Sequence, residues 1–462
     1  MSFKKGETLE VTVSDLAVGG KGFVKVDGFS IFIDQTLPLD RALIRISKRK
    51  KNYAEAQVVQ LIAPSPYRVP PKCKYSGVCG GCKWQFLDYG KQLEYKTQHV
   101  ADSIVHIGLI PDVPVYPALP SDLVFGYRNK MEFSCSDKRW LLPEELGDDS
   151  VEKGIALGLH VPGTFHKVLD IDFCALQPEM GNRILGEVRD YIKKSHAPVY
   201  GLHSHAGFWR FLMLRHSSAY DQWMVNIVTA SEDMETLRPL ADRLRERYPA
   251  IVSIVNNIAP GKAGIAVGEY EIQLSGASHL RDKLGRFEFE ISANSFFQTN
   301  TRGAERLYDT VKTYAELTWS ERVLDPYSGT GTIPIWLSDA AGEVTGIEIN
   351  RNAVADAVKN CKANNISNCK FILGDIKESL SGIKEKPDVM VIDPPRVGMH
   401  KDVVRQVLEI APERIVYVSC NPSTLARDLG MMKEKYRVDA VQPVDMFPHT
   451  FHIESVAKLH KQ

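Results

Sequence analysis

Short alternating runs of apolar and polar residues occupy the first part of the chain, up to about residue 61. Alternation with a period of two is typical of strands that bury one face. Gly-Gly, Asp-Gly and Leu-Pro-Leu-Asp turn signals separate the runs LEVTVSDL, GKGFVKV, FSIFI, RALIRISK and AEAQVVQLI. Five strands at this spacing predict a small OB-like β-barrel over residues 1–62.

From about residue 321 the pattern changes to apolar strands that alternate with helical segments of about 10 to 15 residues. This alternation predicts a doubly wound, Rossmann-like parallel sheet covered by helices on both faces. The last two runs, YRVDAVQPVDMF and HIESVAKL, have no helix between them, so we expect an antiparallel hairpin at the sheet edge. We assign residues 293–462 to this domain.

The middle of the chain, residues 63–292, mixes both patterns. Helical spacing in DYGKQLEYKTQHVADSIVHIGL follows a proline-rich linker, and an amphipathic helix is expected around residues 233–247. Between and around them lie the strand-like runs KMEFSCS, IALGLHV, GFWRFLMLRHS and QWMVNIVTA. We predict a central antiparallel α+β domain. The fold class is therefore a multidomain α/β protein.

Length and composition set the limits of this interpretation. A chain of 462 residues exceeds what a single core normally supports, and its 57 basic and 57 acidic residues cancel, so net charge identifies no partner. No apolar run approaches the roughly 18 residues that span a bilayer, and the start lacks the features of a secretory signal. We expect a monomeric cytoplasmic protein with no membrane partner.

Three cysteines, Cys73, Cys79 and Cys82, lie close together in KCKYSGVCGGCKWQ. Their C-x5-C-x2-C spacing and the adjacent glycines let three thiolates converge on a metal centre. For a fourth ligand Cys174, before a loop and a proline, is a better candidate than Cys135 in the middle of a strand. Zinc and an iron–sulfur cluster both accept four thiolates; the spacing differs from zinc ribbons and favours iron–sulfur.

A glycine-rich turn, LDPYSGTGT, ends the first strand of the parallel sheet and opens a helix. Glycines there allow a ligand to approach the backbone, and Glu348, at the end of the next strand, can accept both hydroxyls of a ribose. Because the dinucleotide and P-loop spacings are absent, the pattern favours S-adenosylmethionine over NAD or ATP. Asp375 ends the third strand, where we expect it to meet the adenine amino group.

Two more chemical groups end neighbouring strands. Asp393 closes the fourth strand in IDPPR, where Arg396 occupies the position of the aromatic residue of amine methylases, which makes an amine acceptor improbable. Cys420 closes the fifth strand in YVSCNPSTLARD, directly before an Asn-Pro helix start. An isolated strand cysteine is usually an inert core residue. At the carboxyl edge of an open sheet, beside a helix dipole that lowers a thiol pKa, it is instead a candidate nucleophile.

The remaining candidates are a carboxylate with two histidines and a basic turn. In FPHTFHIESV, Glu454 is the expected proton acceptor, with His449 and His452 in support. The segment Lys48 to Tyr53, KRKKNY, places four cations and an aromatic ring at a hairpin tip. A solvated charged turn explains the cations equally well, but the barrel context favours contact with RNA phosphates.

Taken together, the small barrel, the cysteine cluster, ANSFFQTN, LDPYSGTGT, DPPR, SCNPSTLARD and FPHTFHIE resemble the RNA (uracil-5-)-methyltransferases. The branch that acts on 23S ribosomal RNA, with an N-terminal TRAM domain, is the most similar. The resemblance implies a 4Fe–4S cluster with a distant fourth ligand, which supports Cys174. It also implies that Gln298, Tyr327, Glu348 and Asp393 line the methyl-donor pocket. Ser328 stands where many members carry a cysteine.

The resemblance also implies a mechanism. The Cys420 thiolate would add to carbon 6 of uracil, carbon 5 would take the methyl group, and Glu454 would remove the carbon 5 proton. The target must be single-stranded or flipped out, so we expect the barrel and central domain to hold folded RNA.

Several alternatives stay open from the sequence. Within the family the substrate is ribosomal RNA or, alternatively, a transfer RNA uridine. A DNA cytosine-5 methyltransferase places its cysteine after a proline following the fourth strand, and radical S-adenosylmethionine enzymes use C-x3-C-x2-C; neither pattern matches. A non-catalytic RNA-binding protein with this fold is disfavoured by the joint presence of Cys420, Glu454 and Gln298.

Overall fold

The computed structural model describes residues 3–462, and its first sheet is built by the N-terminal residues. This sheet has six strands in the order β1-β5-β6-β4-β3-β2. Their bounds are β1 Thr8–Thr12, β2 Asp15–Leu16, β3 Gly22–Val26, β4 Phe29–Ile33, β5 Arg41–Arg49 and β6 Tyr53–Ala63.

The two edge strands of this sheet, β1 and β2, follow one another in the chain. The predicted single strand LEVTVSDL is interrupted at Val13 and Ser14, whose backbone N–H groups donate to Asp40 and Phe23 in other parts of the sheet. Only these two residues connect β1 to β2, so the two edge strands of the sheet must lie close together. The sheet therefore curls around its buried face. The basic segment lies at the turn from β5 to β6, where Lys50 and Lys51 are exposed.

The central part contains an eight-stranded, mainly antiparallel sheet in the order β14-β13-β12-β11-β7-β9-β10-β8, and a separate hairpin of β15 and β16. Its strands are β7 Lys130–Ser136, β8 Arg139–Trp140, β9 Ala156–His160, β10 Val168–Asp170, β11 Trp209–Ser217, β12 Gln222–Thr229, β13 Ile251–Ile258, β14 Tyr270–Gly276, β15 His279–Leu284 and β16 Phe287–Ser292. Its helices are α1 Tyr89–His106, α2 Glu179–Lys194 and α3 Met234–Arg247, with a 3-10 turn at Pro143–Glu145.

The C-terminal part is a seven-stranded sheet in the order β19-β18-β17-β20-β21-β23-β22. The first five strands in sequence are parallel, and β23 runs antiparallel between β21 and β22. The strands are β17 Arg322–Asp325, β18 Glu343–Glu348, β19 Cys369–Leu373, β20 Val389–Ile392, β21 Arg414–Ser419, β22 Tyr436–Val444 and β23 Glu454–Lys461. The helices are α4 Thr301–Ala315, α5 Thr332–Leu337, α6 Arg351–Ala363, α7 Ile376–Ser381, α8 Lys401–Ile410 and α9 Pro422–Met432.

The structure refines two details of the predicted pattern in this sheet. The edge hairpin of β22 and β23 is present, but the last strand of the chain lies on its inner side, paired with β21. Two helices are much shorter than expected, since α5 and α7 have 6 residues each. Within residues 3–462, no helix is both long and apolar enough to cross a membrane.

Candidate active site

A large cavity of about 1060 Å³ lies at the carboxyl edge of the parallel strands. The chain places polar residues there because each strand ends at this edge, and β23, which runs the other way, begins there. Among the residues that line the cavity are Gln298, Tyr327, Glu348, Asp393, Cys420 and Glu454. Six of the predicted site residues are therefore brought together, although the sequence spreads them over more than a third of the chain.

Cys420 is half-buried in this cavity, next to the N-terminus of α9. Asn421 caps the helix, with its side chain accepting from the Ser423 N–H. The expected lowering of the thiol pKa is wrong for this structure. Burial, together with the neighbouring Glu454 carboxylate, raises the pKa of Cys420 to about 11, although the positive charge of Arg396 opposes the shift. Desolvation is the largest contribution to this shift.

Burial raises the pKa of the acidic side chains around the thiol. Glu454 is only 6% exposed, and burial, reinforced by Asp393, raises its pKa to about 8. Burial also raises the pKa of Asp393 to about 6. Asp325, at the end of β17, has its pKa raised to about 8 by burial, and its Oδ2 atom has no hydrogen-bond partner. Carboxyl groups with such shifts in one cleft are typical of sites where protons move.

The glycine-rich turn packs tightly beneath the cavity. Gly329 and Gly331 have φ values of 52° and 78°, which favour glycine, and a Cβ atom on Gly331 would lie 2.9 Å from Ala357. Glu348 accepts from the Gly329 N–H at 3.1 Å and from the Asn350 N–H at 2.7 Å. Its carboxylate is thereby fixed at the cavity wall.

Asp375 has a different environment from the one expected. Its carboxylate caps α7, accepting from the backbone N–H groups of Lys377 and Glu378. It is exposed and is not among the residues that line the cavity, although its charge contributes to the raised pKa of Tyr327.

Gln298 lies in a loop, residues 293–300, that the central sheet holds against the cavity. Arg215 in β11 is buried and donates to the carbonyl oxygens of Ala293 and Ser295. The side-chain amide of Asn129 donates to the Gln298 carbonyl oxygen at 2.9 Å. The backbone N–H of Asn129 donates to the Thr299 carbonyl oxygen. No sequence pattern points to Arg215 or Asn129, because their partners are backbone atoms far away in the chain.

The two histidines do not form a metal pair. His449 stacks on Phe125 with ring centroids 4.2 Å apart, whereas His452 lines the cavity. Burial lowers the pKa of each to about 4, so both rings are neutral at physiological pH. His452 therefore presents a neutral imidazole to the cavity that contains Cys420 and Glu454.

The cysteine cluster faces a second cavity, of about 380 Å³. Cys73, Cys79, Cys82 and Cys174 all line it, whereas Cys135 is buried in β7 and does not. All eight cysteines are free thiols. Among residues 3–462, no group of three His, Cys, Asp or Glu side chains is arranged to hold a metal ion. Arg128 lines both this cavity and the larger one, so the two adjoin.

Comparison with known proteins gives two family matches. Residues 277–462 match the family model described as tRNA (Uracil-5-)-methyltransferase, and residues 2–59 match the TRAM domain. The first match contains Gln298, Cys420 and Glu454. The second covers β1 to β5 and the first part of β6 in the curled six-stranded sheet.

Relatives match over nearly the whole chain. An uncharacterized RNA methyltransferase of Chlorobaculum tepidum is 42% identical over 98% of this chain and 96% of its own length. One of Bacteroides thetaiotaomicron is 40% identical over 96% of this chain and 99% of its own. Among solved structures, the Pyrococcus abyssi tRNA (uracil-54, C5)-methyltransferase in complex with S-adenosyl-L-homocysteine aligns with a TM-score of 0.76 and 29% identity, covering 98% of this chain and 100% of its own.

Proposed function

The chain belongs to the RNA (uracil-5-)-methyltransferase family and is an S-adenosylmethionine-dependent enzyme, and we propose that it acts through a covalent bond between Cys420 and the target uracil. The observation that carries this proposal is the single cavity lined by Cys420, Glu454 and Glu348. A nucleophile, a proton acceptor and a carboxylate suited to a ribose are what this reaction requires in one place.

The methyl donor would lie along the glycine-rich turn, with its ribose hydroxyls on Glu348. Gln298, Tyr327 and Asp393 line the same cavity and would contact the rest of the cofactor. The S-adenosyl-L-homocysteine complex of the Pyrococcus abyssi enzyme supports this assignment, since the likeness covers both chains almost completely. Asp375 would affect cofactor binding only through the long-range effect of its charge, because its carboxylate caps α7 and does not line the cavity.

The reaction would begin with loss of the Cys420 proton to solvent, after which the thiolate adds to carbon 6 of uracil. Arg396, whose positive charge lowers the pKa of the thiol and which lines the same cavity, would stabilise the thiolate. The electron pair of the C5–C6 double bond moves into the enolate, and carbon 5 attacks the methyl group, releasing S-adenosylhomocysteine. Ionised Glu454 then takes the carbon 5 proton. Elimination restores the double bond and expels the Cys420 thiolate.

The target would be a uridine of 23S ribosomal RNA, with a transfer RNA uridine as the second candidate. The first choice rests on the sequence motifs of the ribosomal branch. The second is supported by the Pyrococcus abyssi enzyme, whose name specifies tRNA uracil 54. In either case residues 1–62 and 63–292 would hold the RNA, and residues 293–462 the cofactor. Exposed Lys50 and Lys51 at the tip of β5 and β6 would contact phosphates.

The four cysteines around the second cavity fit an iron–sulfur cluster. A 4Fe–4S cluster takes one thiolate on each iron, so its ligands stand further apart than those of a single ion. That spacing agrees with four thiols that share a cavity without forming a single-ion site. Cys73, Cys79, Cys82 and Cys174 would hold the cluster. When bound it would cross-link the cysteine segment to the loop of Cys174, and no redox step is required of it.

Covalent trapping tests the proposed mechanism. In RNA that contains 5-fluorouridine, the carbon 5 fluorine cannot be removed as a proton, so the methylated adduct should persist. We expect a denaturation-resistant complex, detected by mass spectrometry, with the native enzyme and S-adenosylmethionine but not with Cys420→Ala. A native enzyme that forms 5-methyluridine in ordinary RNA yet gives no such complex would contradict the covalent route. Mapping 5-methyluridine in ribosomal and transfer RNA from cells that lack the gene would identify the substrate.

A further inference from the structure

The loop that leads to Glu454 is held by a helix of the central part of the chain. This loop, residues 445–453, connects β22 to β23, and Glu454 is the first residue of β23. We call residues 445–453 the base loop. Four residues in α1 or just before it contact the base loop: Trp84, Tyr89, Gln92 and Lys96.

One end of the base loop is fixed by a buried ion pair. Lys96 in α1 donates to Asp445 Oδ1 at 2.6 Å, and both side chains are 0% exposed. The same ammonium donates to the Phe447 carbonyl oxygen at 3.0 Å. Tyr89 donates to Asp445 Oδ2 at 3.0 Å, so both carboxylate oxygens are occupied. A buried ion pair whose two partners make further hydrogen bonds allows few alternative positions.

The middle of the base loop is held by Gln92, one helical turn before Lys96. Its Oε1 atom accepts from the His449 N–H at 2.8 Å, and its Nε2 atom lies 3.2 Å from His449 Nδ1. The same Nε2 donates to the carbonyl oxygens of Trp84 and Leu87, which fixes the orientation of the amide. Trp84 in turn donates its backbone N–H to the His449 carbonyl oxygen at 3.0 Å.

His449 has a backbone conformation that needs such support. Its φ of 66° is in the left-handed region, which costs a non-glycine residue free energy. Contacts on its N–H, its carbonyl oxygen and its ring together hold this conformation. The turn at His449 lies in the segment that leads into β23, so its conformation affects how the chain approaches Glu454.

We infer that Gln92 and Lys96 are positioning residues for proton removal, acting through the base loop on Glu454. The inference rests on the proposed function, because it assigns Glu454 the carbon 5 proton. Neither residue lines the catalytic cavity, so neither touches substrate or cofactor. Their loss should leave the attack of Cys420 and the methyl transfer largely intact and should slow the later removal of the proton.

The inference predicts a particular intermediate. If the base is displaced after methyl transfer, the RNA stays bonded to Cys420 through the methylated uracil. Gln92→Leu removes the hydrogen bonds to His449 with little change in volume. Lys96→Met combined with Asp445→Asn removes the ion pair without leaving an unpaired buried charge. Gln98→Leu is the matched control, because Gln98 lies on the same helix but is exposed and donates to Asp102.

The experiment uses ordinary uridine-containing RNA and S-adenosylmethionine labelled in the methyl group. In Gln92→Leu and in the double variant, we expect label to accumulate in a denaturation-resistant enzyme–RNA complex and kcat to fall about 10- to 100-fold. The Kd for S-adenosylmethionine and for RNA should change less than about twofold. Gln98→Leu should behave as the native enzyme does. Glu454→Gln should accumulate the same complex.

The outcomes separate the inference from the proposed function. If Glu454→Gln traps RNA while Gln92→Leu and the double variant turn over normally or lose activity without a trapped complex, the positioning role is wrong and the proposed function stands. If Glu454→Gln turns over normally, the assignment of the base fails and the inference with it. Circular dichroism and thermal unfolding of each variant distinguish a displaced loop from a chain that has not folded.

Discussion

Cys420 and Glu454 lie side by side at the ends of two antiparallel strands. The register pairs Ser419 of β21 with Ser455 of β23, and the next step of that register sets Cys420 beside Glu454. The two strands are not consecutive in the chain, since α9 and β22 lie between them. Strand pairing therefore brings the proposed nucleophile and the proposed proton acceptor together.

This arrangement predicts a strong pH dependence. Glu454, with a pKa raised to about 8 by burial, can accept a proton only when ionised, and Cys420, with a pKa raised to about 11, attacks only as the thiolate. Both active forms become more abundant as pH rises. We expect kcat/KM to rise at least about tenfold from pH 6 to pH 8, measured by methyl transfer at saturating S-adenosylmethionine. A flat profile over this range would mean that neither group titrates in the rate-determining step.

Burial of the Glu454 carboxyl should also be visible in stability. Its folded-state pKa of about 8 is above the usual value of 4.5, so the favourable contribution is complete below about pH 4.5 and is lost as pH rises to 8. Glu454→Gln should therefore stabilise the fold at pH 8 by roughly 2–4 kcal/mol and have little effect at pH 5. Unfolding curves at the two pH values measure this. Glu434→Gln, at an exposed position, should show no such difference.

The cysteine cluster gives a prediction with a matched control. Cys174→Ser should reduce bound iron and the visible absorbance of anaerobically purified protein, because it removes one of the four proposed ligands. Cys135→Ser should retain both, since Cys135 is buried in β7 outside the cavity. Elemental analysis of the native protein distinguishes iron from zinc. Equal loss in both variants would point to disrupted folding and not to a missing ligand.

Two carboxylates near the glycine-rich turn should differ in their effect on cofactor binding. Glu348→Gln should weaken S-adenosylmethionine binding by about 1.5–3 kcal/mol, the usual contribution of hydrogen bonds to a charged group. Asp375→Asn should change the Kd far less, because Asp375 caps α7 and does not line the cavity. Isothermal titration calorimetry gives both values. An equal loss of affinity in the two variants would instead support the contact between Asp375 and adenine that the sequence predicts.

The basic turn between β5 and β6 should act on RNA affinity alone. Lys50→Glu with Lys51→Glu should weaken RNA binding and make the slope of log K against log salt less negative by about 1.4, if each lysine meets one phosphate of single-stranded RNA. The kcat at saturating RNA should not change. Lys384→Glu is the control, since Lys384 is also exposed but lies before β20, at the edge of the sheet away from the cavity. Filter binding at several salt concentrations measures the slopes.

The sequence by itself was sufficient to predict the strands of the C-terminal sheet and the strand-like runs of the middle region. It was also sufficient to predict which residues stand at the strand ends. These features are local: apolar periodicity marks each strand, and a polar residue after it marks the carboxyl edge. Motifs such as SCNP and FPHTFHIE are also local, and they were sufficient to indicate the family. The helices α5 and α7 were predicted, but their length of 6 residues was not, because loop and helix residues there have similar patterns.

Only the tertiary structure decided the electrostatics and the long-range contacts. The pKa of Cys420 is raised and not lowered, because desolvation depends on everything packed around the thiol, whereas the helix dipole can be inferred from the next few residues. Asp375 turned out to be a helix cap, and Lys96 the partner of Asp445, far away in the chain. Such partners leave no local signal, since the free energy of a buried pair depends on the folded surroundings and not on sequence distance.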